Sequence, residues 1–315
     1  MVNRPTRQDR YRGALLGLAA GDALGTTLEF TRPGTFPPLT GMTGGGPFNL
    51  PPGAWTDDTS MALCLAESLI ERRGFDAADQ MRRYVRWYRD GHLSSTGSCF
   101  DIGNATRTAL GRFLATGDPY SGSADPHSAG NGSLMRLAPV ALAYARRPEQ
   151  ADEYAALSSR TTHKAETAVD ACRLYAALMV GALNGVDKTR LLAADFWSYG
   201  PLHPEVAEVA AGSFRRREPP EIRGSGYVVQ SLEAALWAFY KTDGFAAGAL
   251  GAVNLGDDAD TTGAVYGQLA GAYYGAENIP EDWRKKLVMK EIIVEFADRL
   301  LALADLEPPA QSSPN

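Results

Sequence analysis

The sequence predicts an all-α protein of twelve or more helices. Three observations carry that reading. Stretches that alternate apolar and polar residues, the mark of a half-buried strand, are almost absent. Apolar residues instead recur at helical spacing, as in Ala14, Leu15, Leu18 and Ala19. Between the periodic segments lie clusters of Gly, Pro, Ser and Asp, which punctuate a chain rather than continue it.

No composition shift divides the chain. We expect one domain over residues 11–304, a flexible N-terminus over 1–10 and a disordered Pro/Ser-rich tail over 305–315. A length of 315 residues, with 44% hydrophobic and 22% charged residues, describes an ordinary globular protein. The formal net charge of −6 gives no electrostatic footprint for nucleic acid. No apolar run is long enough to span a bilayer, and Met1 to Arg7 lack the apolar core of a signal peptide. Cys64, Cys99 and Cys172 form no metal-type cluster, and Cys64 and Cys172 read as small core residues of a reducing compartment. These features suit a cytoplasmic protein, with the monomer as default.

The first helix spans about 8–25 and ends in the small-residue run Gly21-Asp22-Ala23-Leu24-Gly25. Glu29 follows between Leu28 and Phe30, an alternation that by itself turns the acid toward water. Residues 31–54 are Gly/Pro-rich and without periodicity, and a loop that long is usually functional or disordered. It runs straight into Trp55-Thr56-Asp57-Asp58-Thr59-Ser60, at the start of a helix over 59–73, which favours function.

Helices over 77–89 and 101–114 come next, with Asp101 at a helix start where it would serve equally as an N-cap. After a loop over 116–132, Gly130-Asn131-Gly132-Ser133-Leu134-Met135-Arg136 reads as a turn opening a helix. Its backbone N–H groups would suit a phosphate, although a plain capped turn fits as well. His163, at the start of a helix over 164–183 and beside three hydroxyl residues, is the best placed of the four histidines to face a site. Tyr227, after Gly-Ser-Gly and before a helix over 228–240, is either a ring exposed for stacking or a loop tyrosine packed on its own helix. Helices over 244–253, 262–274 and 280–303 complete the chain.

The sharpest stretch is Asn254-Leu255-Gly256-Asp257-Asp258-Ala259-Asp260-Thr261-Thr262-Gly263-Ala264. It sets three carboxylates and two hydroxyls in six positions among residues otherwise small and apolar. Carboxylates at buried positions need a partner, and nothing basic lies nearby in sequence. A hard divalent cation answers that need through oxygen ligands. The alternative is that Asp257 or Asp258 merely caps the following helix. Thr56-Asp57-Asp58 is a second oxygen-rich cluster at another helix start, and two such clusters converging on one place are the pattern of a two-metal centre. His-Glu-x-x-His, Cys-x-x-Cys, Walker and Gly-x-Ser-x-Gly sequences are absent, which speaks against zinc, P-loop and serine-esterase chemistry.

Taken in order, Gly21-Asp22-Ala23-Leu24-Gly25 with Glu29, Trp55-Thr56-Asp57-Asp58-Thr59, Cys99-Phe100-Asp101-Ile102-Gly103, Gly130 to Arg136, Thr162-His163 and Gly256 to Thr261 resemble the ADP-ribosylglycohydrolase family. The likeness runs from about Tyr11 to Gly275 and looks nearest to the bacterial dinitrogenase reductase-activating branch. It implies a compact orthogonal multi-helix bundle with a binuclear Mg²⁺ or Mn²⁺ site in a central cleft. The implied ligands are Thr56, Asp57, Asp58, Asp258, Asp260 and Thr261, with Asp22 and Asp257 behind them. Glu29 would lie beside the metals and Asp101 would act on the ribose, so these two are the implied catalytic acids. Gly130, Asn131, Gly132, Ser133, Met135, His163 and Tyr227 would bind the substrate.

The implied reaction is release of ADP-ribose from a modified residue of a protein substrate, through hydrolysis of an N-glycosidic bond to arginine. The alternatives are another ADP-ribose linkage (serine, an O-acetyl-ADP-ribose or a nucleic-acid base), a phosphoesterase that would release phosphate, and a binder of ADP-ribose without turnover.

Overall fold

The computed structural model describes residues 4–306 and is all-helical, with fourteen α-helices, three short 3-10 turns and, among the described residues, no strand beyond four isolated bridges. Of the disordered tail expected over 305–315, residues 307–315 lie outside the described residues. Helix α1 starts earlier than expected, at Arg7, because Thr6 caps it by accepting a hydrogen bond from Asp9 N at 3.1 Å. Residues 7–10 therefore belong to the fold and are not a flexible arm. The other end is corrected likewise, since Asp305 closes the last helix.

The centre is the antiparallel pair α1 (Arg7–Gly25) and α12 (Ala259–Tyr274). Gly13, Gly17 and Gly21 face Gly271, Gly267 and Gly263, and Gly25 faces Ala259. As one number rises by four the other falls by four, so one stripe of each helix is bare backbone. A Cβ on Gly17 would lie 2.2 Å from the Gly267 carbonyl oxygen, a distance no side chain survives. The helices are thereby fixed in register, with the C-terminal end of α1 beside the N-terminal end of α12.

Around this pair pack α2 (Asp57–Arg72), α5 (Ala138–Ala143), α7 (Glu166–Leu183), α10 (Val228–Lys241), α11 (Phe245–Val253) and α14 (Lys290–Asp305). Helices α3 (Ala77–Asp90), α4 (Asn104–Thr116), α6 (Pro148–Arg160), α8 (Lys188–Leu191) and α9 (Pro204–Ala210) complete the shell. The single helix expected over 280–303 is two, α13 (Glu281–Lys286) and α14, broken where Met289 adopts a left-handed φ of 54°. The break exposes backbone that the 51–55 loop uses: Val288 N donates to Gly53 O, and Trp55 Nε1 donates to Val288 O at 3.1 Å. That clamp aims Thr56 and the start of α2 at the centre of the fold. A helix also follows the Gly130–Ser133 turn less directly than expected. Residues 132–136 form successive turns, and α5 begins only at Ala138, where Gln268 of α12 accepts from Ala138 N at 2.7 Å and donates to Met135 O at 2.7 Å.

Candidate active site

Three helix ends meet at one place: the C-terminal end of α1 and the N-terminal ends of α2 and α12. Asp22, on α1, accepts from Thr56 N at 2.9 Å and Thr56 Oγ1 at 3.0 Å through Oδ1. Through Oδ2 it accepts from Thr59 N at 3.0 Å and Thr59 Oγ1 at 2.6 Å. It therefore caps α2 from a neighbouring helix, a service no residue of α2 supplies. These four donors hold down a carboxyl that burial alone would protonate far more strongly, leaving it pushed up to about 6. Asp22 lies close to Asp58 and Asp260, and both of its oxygens are engaged in these hydrogen bonds.

Asp58 and Asp260 are different. Each is buried, each has an Oδ1 with no hydrogen-bond partner among the described residues, and burial holds both carboxyls well above the usual range. Their Oδ2 atoms approach Thr56 Oγ1 at 3.2 and 3.1 Å, in addition to Asp22 at 3.0 Å. A hydroxyl has one proton, so at most one of these three contacts can be its hydrogen bond. Without a cation, only protons held on the raised carboxyls ease the crowding of the remaining oxygens, an arrangement that a divalent cation would relieve. Thr261 Oγ1 adds a further oxygen 3.5 Å from Asp58 Oδ2.

Glu29, Asp101 and Asp260 bring oxygens within 4.8 Å of one another, a second set sharing Asp260 with the first. Glu29 does not face water as the local alternation suggested. It is 4% exposed while Phe30 is 69% exposed, because Phe30 has a left-handed φ of 58° and is pinned by Phe30 N donating to Asp257 O at 2.7 Å. The reversal turns Glu29 inward, leaves its Oε2 without a partner and, through burial and then Asp101, pushes its carboxyl up to about 9. Asp57 and Asp101 lie in contact, and burial followed by Asp101 raises Asp57 well above the ordinary range. Asp101 lies ahead of α4, which Gly103 caps, so the N-cap alternative for Asp101 falls.

The capping alternative for Asp258 fails in a more informative way. Asp258 occupies the N-cap position of α12, yet its side chain makes no capping bond and instead accepts from Asn131 Nδ2 at 2.7 Å. Asp257 is a correction: its left-handed φ of 59° sends the side chain out to the rim, exposed, while its N–H bonds Thr31 O at 2.8 Å. It joins the rim of the cleft through its backbone rather than through a buried side chain.

These groups form the floor and wall of a cleft of about 380 Å³, also lined by Gly130, Asn131, Gly132, Met135 and His163. Thr56, Asp58 and Asp22 lie beneath it. Two expected substrate residues are not brought to the lining. Ser133 turns inward, its Oγ 2.8 Å from Ser159 Oγ. The Tyr227 side chain packs against the core, so the stacking expectation gives way to a backbone role, with Val228 N donating to Ala129 O and Asn131 N to Gly226 O. Sequence reasoning missed Phe30, Asn104 and Thr106 in the lining, and it missed Arg136 beneath. A lone arginine in the apolar run Leu134-Met135-Arg136-Leu137-Ala138 was the available signal for the last.

An all-helical shell surrounds a cleft whose buried carboxylates could hold a cation, and comparison with known proteins makes the class specific. The profile of the ADP-ribosylglycohydrolase family matches residues 3–310, and the chain belongs to that family. It is 47% identical to ADP-ribosylarginine hydrolase Tri1 of Pseudomonas putida over 293 residues, 93% of this chain and 78% of that protein. It is 36% identical to the ADP-ribosyl-dinitrogen reductase glycohydrolase of Rhodospirillum rubrum over 312 residues, 96% of this chain and 99% of that one. The expected likeness to the dinitrogenase reductase-activating branch therefore holds, and the likeness to Tri1 is greater. A solved structure described as an ADP-ribosylglycohydrolase-related protein complex superposes with a TM-score of 0.86 at 51% identity, covering 95% of this chain and 99% of that one.

Proposed function

We propose that the protein hydrolyses the N-glycosidic bond between ADP-ribose and an arginine side chain of a modified protein, and that it depends on divalent cations, Mg²⁺ or Mn²⁺, held at the floor of the cleft. The observation that carries this is the set of partnerless buried oxygens on Asp58 and Asp260 around the Thr56 hydroxyl, with that of Glu29 beside Asp260. The 47% identity to a relative named for arginine supports the linkage.

Thr56, Asp57, Asp58, Asp258, Asp260 and Thr261 are the proposed ligands of two cations, with Glu29 beside them; the two oxygen sets that share Asp260 support this reading. Bound there, the cations would supply positive charge to orient ribose hydroxyls and stabilise developing negative charge. The chain does the rest. Asp101, half-buried and with its carboxyl raised by burial, holds or gives up a proton at the carboxyl facing Asp57. The Gly130–Gly132 backbone and Asn131 bound the space where the ribose and diphosphate lie, with Asn131 fixing Asp258 through its amide. Met135 and His163 close the far wall.

The test is release of free ADP-ribose from an ADP-ribosyl-arginine protein with Mg²⁺ or Mn²⁺, and then with EDTA. Release that stops with EDTA and is lost in Asp57→Ala and Asp258→Ala supports the assignment. Full activity in either variant, or phosphate as the product, rejects it.

A further inference from the structure

Arg136 is fully buried, and among the described residues no carboxylate pairs with it. It lies with its guanidinium carbon 4.7 Å over the Tyr84 ring, donates from Nη1 to Gly132 O at 2.8 Å, and donates from Nη2 to Thr162 Oγ1 at 2.7 Å. A buried cation without a counter-ion is costly, and a face-on tyrosine offsets only part of that cost. We propose that Arg136 is a positioning residue that, through Thr162, locks His163 as the neutral Nε2–H tautomer, so that His163 donates a hydrogen bond to an acceptor oxygen of bound ADP-ribose and takes no proton in the reaction. The ligand named here rests on the proposed function; the tautomer does not.

Counting protons fixes the tautomer. A guanidinium only donates, so Thr162 Oγ1 must accept from Arg136. The same oxygen lies 2.8 Å from His163 Nδ1. Thr162 is 1% exposed, and its hydroxyl has no other acceptor among the described residues. Its single proton therefore points at Nδ1, which must offer a lone pair. Were Nδ1 protonated, two donors would face the hydroxyl and its own proton would be stranded in the interior without an acceptor. Thr161 does not relieve this, because its hydroxyl already donates to Ser158 O at 2.7 Å.

With Nδ1 occupied, the imidazole proton is on Nε2, the atom aimed at the cleft. Gly130 and Gly132 make room for it: a Cβ on Gly132 would lie 3.1 Å from Nε2 and 2.8 Å from Cε1, and one on Gly130 would lie 3.5 Å from Nε2. Nε2 has no protein partner among the described residues, so the donor is free for a ligand. Burial, and after it the charge on Arg136, also push the ring's own protonation down to about 3, in keeping with a neutral donor.

The experiment is long-range ¹H–¹⁵N NMR of the histidine side chains of the full chain, with His163 assigned by the signal lost in His163→Gln. We expect a bare Nδ1 and a protonated Nε2, unchanged from pH 5 to 8. Thr162→Ser should keep that pattern, and Thr162→Val should give a mixture of tautomers. ADP-ribose binding supplies the second reading. A glutamine amide nitrogen overlays Nε2 and an asparagine one overlays Nδ1, so His163→Gln should bind at least about tenfold more tightly than His163→Asn. Thr162→Val should raise KM by about tenfold with kcat moved little, since positioning rather than proton transfer is lost. A protonated Nδ1, a titration between pH 5 and 8, or equal binding by the Gln and Asn variants overturns the proposal. A wild-type protein that binds no ADP-ribose overturns the functional reading and the assigned ligand together, while the NMR pattern still decides the tautomer lock.

Discussion

A Cβ atom on Gly21 would lie 1.9 Å from the carbonyl oxygen of Gly263, so α1 and α12 meet backbone to backbone one residue before Asp22 and three residues after Asp260. The close approach sets the distance between the anchor of α2 and the carboxylates of α12. Neither backbone can move aside, because the same contact repeats at Gly17 with Gly267 and at Gly13 with Gly271. Gly21→Ala should therefore cost on the order of 3 kcal/mol, at the upper end of overpacking penalties. Urea unfolding measures it, and a loss under about 0.5 kcal/mol would show that the register is looser than the structure has it.

Asp22 and Asp58 make different predictions although both are buried carboxyls of one cluster. Asp22→Asn replaces an oxygen that accepts two bonds with an amide that donates, so α2 loses two of its four tethers. Mn²⁺ affinity should fall about 10–100-fold, the usual effect of disturbing the supports of metal ligands. Asp58→Asn should instead abolish turnover and remove metal binding at its site. Calorimetric titration with Mn²⁺ separates the two.

Removal of metal should make stability fall as pH rises above 7. The sign follows from Glu29, whose folded carboxyl is pushed up to about 9 from an ordinary value near 4.5. Between those values the folded metal-free chain holds a proton that the unfolded chain has released, so stability decreases with pH. His163, with its folded value lowered, acts only below about pH 6.5 and leaves this window untouched. The metal-free protein should lose on the order of 2 kcal/mol between pH 7 and 9. With Mn²⁺ bound the slope should flatten. Thermal unfolding at four pH values with and without EDTA checks it, and a metal-free protein that gains stability over this range contradicts it.

Asn131→Ala removes the 2.7 Å bond that keeps Asp258 out of its capping position. Freed, the Asp258 carboxylate can turn back and cap α12, as an aspartate at an N-cap ordinarily does. Helix content should be unchanged while metal affinity drops about tenfold. Circular dichroism and metal titration read the two quantities separately.

The sequence by itself determined the all-α class and most helix positions, because helical periodicity and Gly/Pro punctuation are local signals. It also pointed to the two oxygen clusters that the structure brings together. Thr56-Asp57-Asp58 and Asp258-Ala259-Asp260-Thr261 stood out because carboxylates among small apolar residues need a partner that their neighbours in sequence do not supply. Of the glycine stripes, only the small residues Gly21 to Gly25 stood out in sequence; the i, i+4 stripes of Gly13, Gly17 and Gly21 and of Gly263, Gly267 and Gly271 gain meaning once the two helices are paired.

What tertiary structure alone decided is direction. Glu29 and Asp257 carry the same charge near the same cleft, yet one is buried with a partnerless oxygen and the other faces solvent. The difference comes from left-handed backbone at Phe30 and Asp257 and from the paired bonds between residues 30–31 and 257. Similarly, the local sequence left Tyr227 open between stacking and packing and the resemblance implied a place beside the substrate, whereas the structure packs it against the core outside the cleft lining. Arg136 gave no function from its neighbours, because its role is in the direction of one proton on Thr162. Local sequence fixes what a residue can donate or accept, and the partner that uses it is supplied by chain far away.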